Sequence, residues 1–243
     1  MDSNKPQGYC CICGELKELT FEHVPPSCSF NNKPIFIQGI EHLWDDSSYV
    51  FGKKRMSNRG LGSYSLCAEC NNKTGAWYAK DFCEFAKQGM NILRSTQQDS
   101  RVIDGTYFLK PLNVFKQIVA MFMSADKSGH LRDNHHLRAF LLDKELQKFP
   151  EEFRVYLYSN ASPFKRLAGY TLMYVPTVGV VKWSEINFQP FGYFLTENSS
   201  PPNQYMIDIT SWSEKPYDSR HKISMRTYYL GVNNLNFILF RMT

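Results

Sequence analysis

Hydrophobic and polar positions alternate in two different rhythms along this chain. Leu16–Phe21 has the short period of a strand, Ile35–Ile37 is a shorter apolar run of the same kind, and Tyr64-Ser65-Leu66 makes a second core strand. A helix is predicted to begin just after Cys70. Tyr78, Phe82, Phe85, Ala86 and Leu93 recur near i, i+4 and i+7, which puts one apolar face on a core. Residues 94–106 are polar and read as a linker. Leu112, Phe115, Val119 and Phe122 mark a second amphipathic helix behind Pro111, and His136–Phe149 a third. The rhythm then returns to strands. Phe153–Tyr158, Gly169–Val175, Gly179–Trp183, Phe191–Leu195, Tyr205–Thr210, Met225–Leu230 and Leu235–Phe240 are β-branched and aromatic runs separated by Pro, Gly, Asn and Ser. The expected fold class is α+β, in two units. Residues 1–95 form the first. Residues 106–243 form the second, an α+β domain with a mostly antiparallel sheet.

Residues 27–64, with Asn-Asn, Asp-Asp-Ser-Ser and several glycines, read as an insertion between the two core strands. The insertion ends in Lys53-Lys54-Arg55-Met56-Ser57-Asn58-Arg59-Gly60, the densest basic segment of the chain. At 43% hydrophobic and 15% aromatic, the 243 residues can bury a substantial core. No apolar run is long enough to span a bilayer, and no secretory signal is visible, so no membrane partner is expected. Net charge is +5 overall. Residues 1–100 hold eleven Lys/Arg and eleven Asp/Glu, so the surplus lies wholly in the second unit. Nucleic-acid affinity in the first unit must therefore come from local clusters. Lys53, Lys54, Arg55, Arg59 and Lys73 are the candidates.

The chemistry concentrates in three short stretches: Cys10-Cys11-Ile12-Cys13, Glu22-His23-Val24-Pro25-Pro26 and Cys67-Ala68-Glu69-Cys70-Asn71-Asn72-Lys73. Two C-x-x-C pairs at this spacing predict one closed zinc site made by Cys10, Cys13, Cys67 and Cys70. The Cys-Cys-x-Cys run allows two registers, of which Cys10 with Cys13 has the fitting gap. Cys28 and Cys83 read as lone core cysteines. Cysteine usage of this kind suits a reducing, cytoplasmic setting. Glu22, His23 and Asn71 can make a second site, oxygen-rich and open to solvent. Pro25-Pro26 forbids a helix after them. His135-His136 reads as surface, and the aromatic strands of residues 150–243 as core, with a base-stacking platform as the sharper alternative.

The order of knuckle, acid–His–x–x–Pro, and knuckle followed by Asn resembles the HNH endonuclease family over roughly the first third of the chain. The resemblance implies a zinc-stapled ββα-metal fold for residues 1–95 and metal-dependent hydrolysis of DNA phosphodiesters. It implies His23 as general base, with Glu22 and Asn71 holding a catalytic Mg²⁺ or Mn²⁺ beside the structural Zn²⁺. The third motif position, often His in the family, is Asn71 here. The family's middle Asn has Asn58 as its nearest counterpart. RNA as substrate would use the same core. One such site cuts one strand, so a double-strand break calls for a homodimer or two encounters. The second unit would select substrate, regulate or assemble. Such combinations occur in mobile elements and bacterial antiviral defence. The rival expectation is a non-catalytic zinc module that binds nucleic acid or protein.

Overall fold

The computed structural model describes residues 5–39, 42, 47, 49–96, 100–175, 179–201 and 203–230. The chain opens with β1 (Gln7–Tyr9) and β2 (Leu16–His23), then returns after the insertion as β5 (Gly62–Cys67). These three form one antiparallel sheet in the order β1-β2-β5. The short strand expected at Ile35–Ile37 is β3, and it pairs with β4 (Arg55–Ser57) as a separate two-stranded ribbon. The pairing of β2 with β5 shifts register between Thr20 and Phe21.

β5 runs directly into α1 (Ala68–Thr74). A π-helical turn (Gly75–Ala79) and α2 (Lys80–Ser95) continue the same rod. The helix starts two residues before Cys70 rather than after it. Cys67 is its N-cap in extended conformation, and Glu69 sits in the first turn, where a carboxylate complements the helix dipole. Asn71 is therefore the fourth helical residue and not a cap. The π turn carries Tyr78 into the core, where its hydroxyl donates to Leu141 O at 2.9 Å.

The stretch read as a linker is shorter than expected. Part of it, from Val102, belongs to β6 (Val102–Leu109), which pairs along its whole length with β12 (His221–Tyr228). α3 (Pro111–Ala125) was expected to be amphipathic but is buried on every side, Asn113, Lys116, Gln117 and Ser124 included. Such a helix must satisfy its polar groups internally. Lys116 does so by donating from Nζ to Phe140 O at 2.7 Å and Asp143 O at 2.6 Å. Those carbonyls lie at the end of α5 (His135–Leu142), which follows the single-turn α4 (His130–Asp133). The third helix thus stops at Leu142, well short of Phe149, because Asp143 turns extended and caps the following turn through Glu145 N.

β7 (Phe153–Ser159), β8 (Arg166–Val175), β9 (Gly179–Phe188), β10 (Phe191–Glu197) and β11 (Ile207–Asp208) make a sheet in the order β11-β7-β10-β9-β8, antiparallel throughout. The Tyr205–Thr210 strand shrinks to those two residues before a 3₁₀ turn (Thr210–Glu214). The strand expected at Leu235–Phe240 lies outside the described residues. The class is α+β. Most aromatics of this half are core: Tyr156, Tyr158, Trp183, Tyr193 and Phe194 are buried, and Trp183 stacks on Phe194 at 5.2 Å, whereas Phe164, Tyr174 and Tyr205 are exposed. No stacking platform faces solvent at these positions.

The two units read from the sequence share one hydrophobic core. Cys10, Ile12, Leu66, Phe82 and Phe85 belong to the same cluster as Leu112, Phe122, Phe140, Leu157 and Phe191. Phe85 stacks on Phe191 with ring centroids 4.5 Å apart, and a Cβ at Gly89 would meet that Phe191 ring at 2.3 Å. Arg138 Nη1 donates to Cys13 O at 3.1 Å, tying α5 to the first cysteine turn. Among the described residues no helix is long and apolar enough to cross a membrane.

Cys28 and Cys83 are not separate core cysteines. They form a disulfide between the loop leaving β2 and α2, with Cys28 exposed and Cys83 buried. The expectation that cysteine chemistry here is zinc without disulfides is corrected at this pair. Fifty-five residues separate the two cysteines, so no local spacing could announce the bond.

Candidate metal centre and the adjoining cleft

The turn after β1 and the β5–α1 junction bring Cys10, Cys13, Cys67 and Cys70 together. Their sulfurs lie within 4.8 Å of one another. Tetrahedral Zn–S bonds of about 2.3 Å place sulfurs about 3.8 Å apart. Cys13 Sγ and Cys67 Sγ are 4.0 Å apart, so the donor set fits a metal such as zinc with little adjustment. Cys67 N–H donates to Cys10 Sγ at 3.3 Å, a bond that favours a thiolate. Without a metal the four thiols would share protons unevenly. Hydrogen bonding from Cys70 draws Cys10 down to about 4 and pushes Cys70 far up, while burial takes Cys13 up to about 11. Metal binding would displace those protons. Cys11 is outside the cluster. It packs against the core, its Sγ faces Asp126 O at 3.9 Å, and burial pushes its thiol up to about 11. The register is Cys10 with Cys13.

Glu22 and His23 are the last two residues of β2, opposite Ser63 and Gly62. His23 Nε2 lies 2.8 Å from Arg59 O. A carbonyl can only accept, so the neutral ring carries its proton on Nε2 and keeps the Nδ1 lone pair. The ring also meets the Phe21 edge at 5.1 Å. Glu22 lies two residues beyond Thr20 on β2, past the register shift. Its carboxylate makes no hydrogen bond or ion pair among the described residues, and burial pushes it up to about 7. A neighbouring cation would reverse that shift.

Asn71 donates from Nδ2 to Thr20 Oγ1 at 2.9 Å, and Thr20 Oγ1 donates onward to Leu66 O at 2.8 Å. Because the Thr20 proton is used on Leu66, the amide must present its N–H side to Thr20. Its carbonyl oxygen is left as a donor atom for a cation. Lys73 is held by Glu69 at 2.8 Å on the helix surface. Lys53, Lys54, Arg55 and Arg59 are exposed. His135 and His136 are exposed at the start of α5, as read.

No protein-family model, no curated protein and no solved structure matches this chain. What the site can do must be argued from its own atoms.

One residue of the site was missed. The loop facing His23 is shaped by Asn31, whereas Asn58 is exposed. Asn31 is buried, donates from Nδ2 to Pro25 O and Leu61 O, each at 2.7 Å, and accepts from Leu61 N at 2.7 Å. It thus clamps the chain leaving His23, across the cis Val24–Pro25 bond, to the chain entering β5. Gly60 completes the fit at φ +82°, where a Cβ would lie 2.5 Å from Asn31 O. The Asn31-Asn32 pair was legible only as loop; nothing local says which of the two turns inward. Asn31→Ala strands Pro25 O and Leu61 N, each worth roughly 1–3 kcal/mol when buried, while Leu61 O keeps the Val24 N–H at 3.0 Å. The variant is expected to melt several degrees lower with its metal content unchanged. An unaltered melting temperature in a calorimetric scan would remove the clamp.

Proposed function

We propose that the first unit is a metal-dependent endonuclease of the HNH type that hydrolyses DNA phosphodiester bonds. The observation that carries the reading is a single unit of two antiparallel strands and a helix, closed at one end by four thiols. His23 lies at the far end of β2 and Asn71 on the helix, and among the described residues neither His23 Nδ1 nor the Asn71 carbonyl oxygen has a hydrogen-bond partner. In this reading His23 Nδ1 takes a proton from the attacking water. Glu22 and Asn71 are the residues that would hold Mg²⁺ or Mn²⁺, which when bound neutralises charge developing on the phosphate and the leaving oxygen. Glu22 suits that part because it is desolvated and has no hydrogen-bond or ion-pair partner among the described residues. The four-thiol site has no open position for substrate and serves the fold.

The test is a titration of Mg²⁺ against the rate of cutting of supercoiled plasmid and of single-stranded DNA. Glu22→Gln keeps the shape and one carbonyl oxygen but removes the charge that attracts the cation. Half-saturation should move to higher Mg²⁺, and excess cation should restore much of the rate by mass action. Equal half-saturation in parent and variant would take Glu22 out of the site. No cutting of DNA or RNA by the parent would leave a zinc-stapled binding module instead.

A further inference from the structure

On the β3–β4 ribbon Phe36 faces Met56 across the strands, and the two are 73% and 58% exposed. Two large apolar side chains held in water contribute nothing to the core, so the ribbon is built to meet something else. The same segment is cationic. Lys53, Lys54, Arg55 and Arg59 fall between residues 47 and 66, a stretch with no Asp or Glu. Lys53 Nζ lies 4.5 Å over the ring of Tyr49, itself 86% exposed. The chain leaving the ribbon then returns to His23. Arg59, two residues past β4, places its carbonyl on His23 and its guanidinium 5.7 Å over Phe21. Phe21 in turn meets the exposed Tyr64 edge-on at 5.7 Å. Rings and cations therefore alternate from the ribbon to the candidate base.

We propose that this surface binds single-stranded DNA, with unpaired bases stacked on Phe36 and Tyr49 and phosphates tracked by the lysines and arginines. Resting on the nuclease reading above, it makes unpaired DNA, rather than intact duplex, the substrate class. A duplex keeps its base faces inside the stack and offers the protein phosphates and groove edges. Exposed rings gain nothing from those. A single strand offers π-faces and phosphates together, the combination this surface matches. The chief competitor is a wedge of Phe36 and Met56 driven between duplex base steps, which would favour duplex and bend it. Rings spaced out at Phe36, Tyr49 and Tyr64 suit a run of separate bases better than one wedge.

The full chain carrying His23→Ala serves as a binding reagent, with fluorescence anisotropy of a labelled oligothymidine and of a hairpin duplex. The single strand should bind about tenfold or more tighter. Adding Phe36→Ala and Met56→Ala should weaken single-strand binding roughly 5- to 150-fold, the range for losing one stacked base. Duplex binding and the salt slope should hold, because no phosphate contact is lost. Both side chains are exposed, so metal content and melting temperature report that the fold is intact. Duplex binding as tight as single-strand binding, or a double variant that binds the single strand like its parent, overturns the proposal. Cutting confined to duplex would do the same while leaving the nuclease reading in place. If neither DNA binds and the parent cuts nothing, both readings fall.

Discussion

Removing the metal from the four-thiol site is expected to unfold the protein well beyond the first unit. Structural zinc in small peptides contributes roughly 10–16 kcal/mol of folding free energy. A domain's whole stability is about 5–15 kcal/mol. The cluster joins the turn after β1 to the β5–α1 junction, and its buried cysteines Cys10, Cys67 and Cys70 belong to the same hydrophobic cluster as α3 and the large sheet. Losing the joint should therefore expose part of a shared core. One zinc per chain is expected in the purified protein by elemental analysis. Chelation, or Cys70→Ser, should abolish the cooperative melt. Cys11→Ser is the control and should retain the zinc, since Cys11 lies outside the cluster. Protein purified without zinc, or a Cys70→Ser variant melting like its parent, would refute the assignment.

The second large effect is on catalysis. His23→Ala is expected to lower the nicking rate about 10²–10⁴-fold, the usual contribution of a general base. The fold should tolerate the change. The ring's hydrogen bond to Arg59 O lies at a partly exposed position, where water can replace it, and Asn31 holds the loop independently. Zinc content and single-strand affinity should stay near the parent's. Single-turnover nicking at saturating Mg²⁺ isolates the chemical step. A variant that cuts as fast as its parent makes His23 a packing residue and ends the proposed mechanism.

The four-cysteine site was legible because a knuckle is local. Two thiols three residues apart on a turn already point the same way, and only the meeting of the two pairs was left to the fold. The strands around Leu16–Phe21 and Tyr64–Leu66 were legible by the same logic of period. Boundaries failed where a cap decided them. Cys67 starts the helix early because its backbone is extended, which side-chain pattern does not encode. Asp143 ends the third helix early, beneath a buried lysine that arrives from another helix.

The residues in these stretches determined the four-cysteine cluster that could hold a metal, the order of strand and helix around it, and the candidate acid–histidine pair. Tertiary structure alone decided the rest. It selected Asn31 over Asn58 as the loop clamp, since the three groups Asn31 satisfies are near one another only after the insertion has folded back. It joined Cys28 to Cys83 across 55 residues. It merged two units into one core, because Gly89 lets α2 approach Phe191 closely enough to bury both. It also left Phe36 exposed on the β3–β4 ribbon, a strand the sequence had marked only as a short apolar run. A periodic pattern reports which face of an element is apolar. What covers that face depends on partners distant in sequence, and burial is a property of the pair.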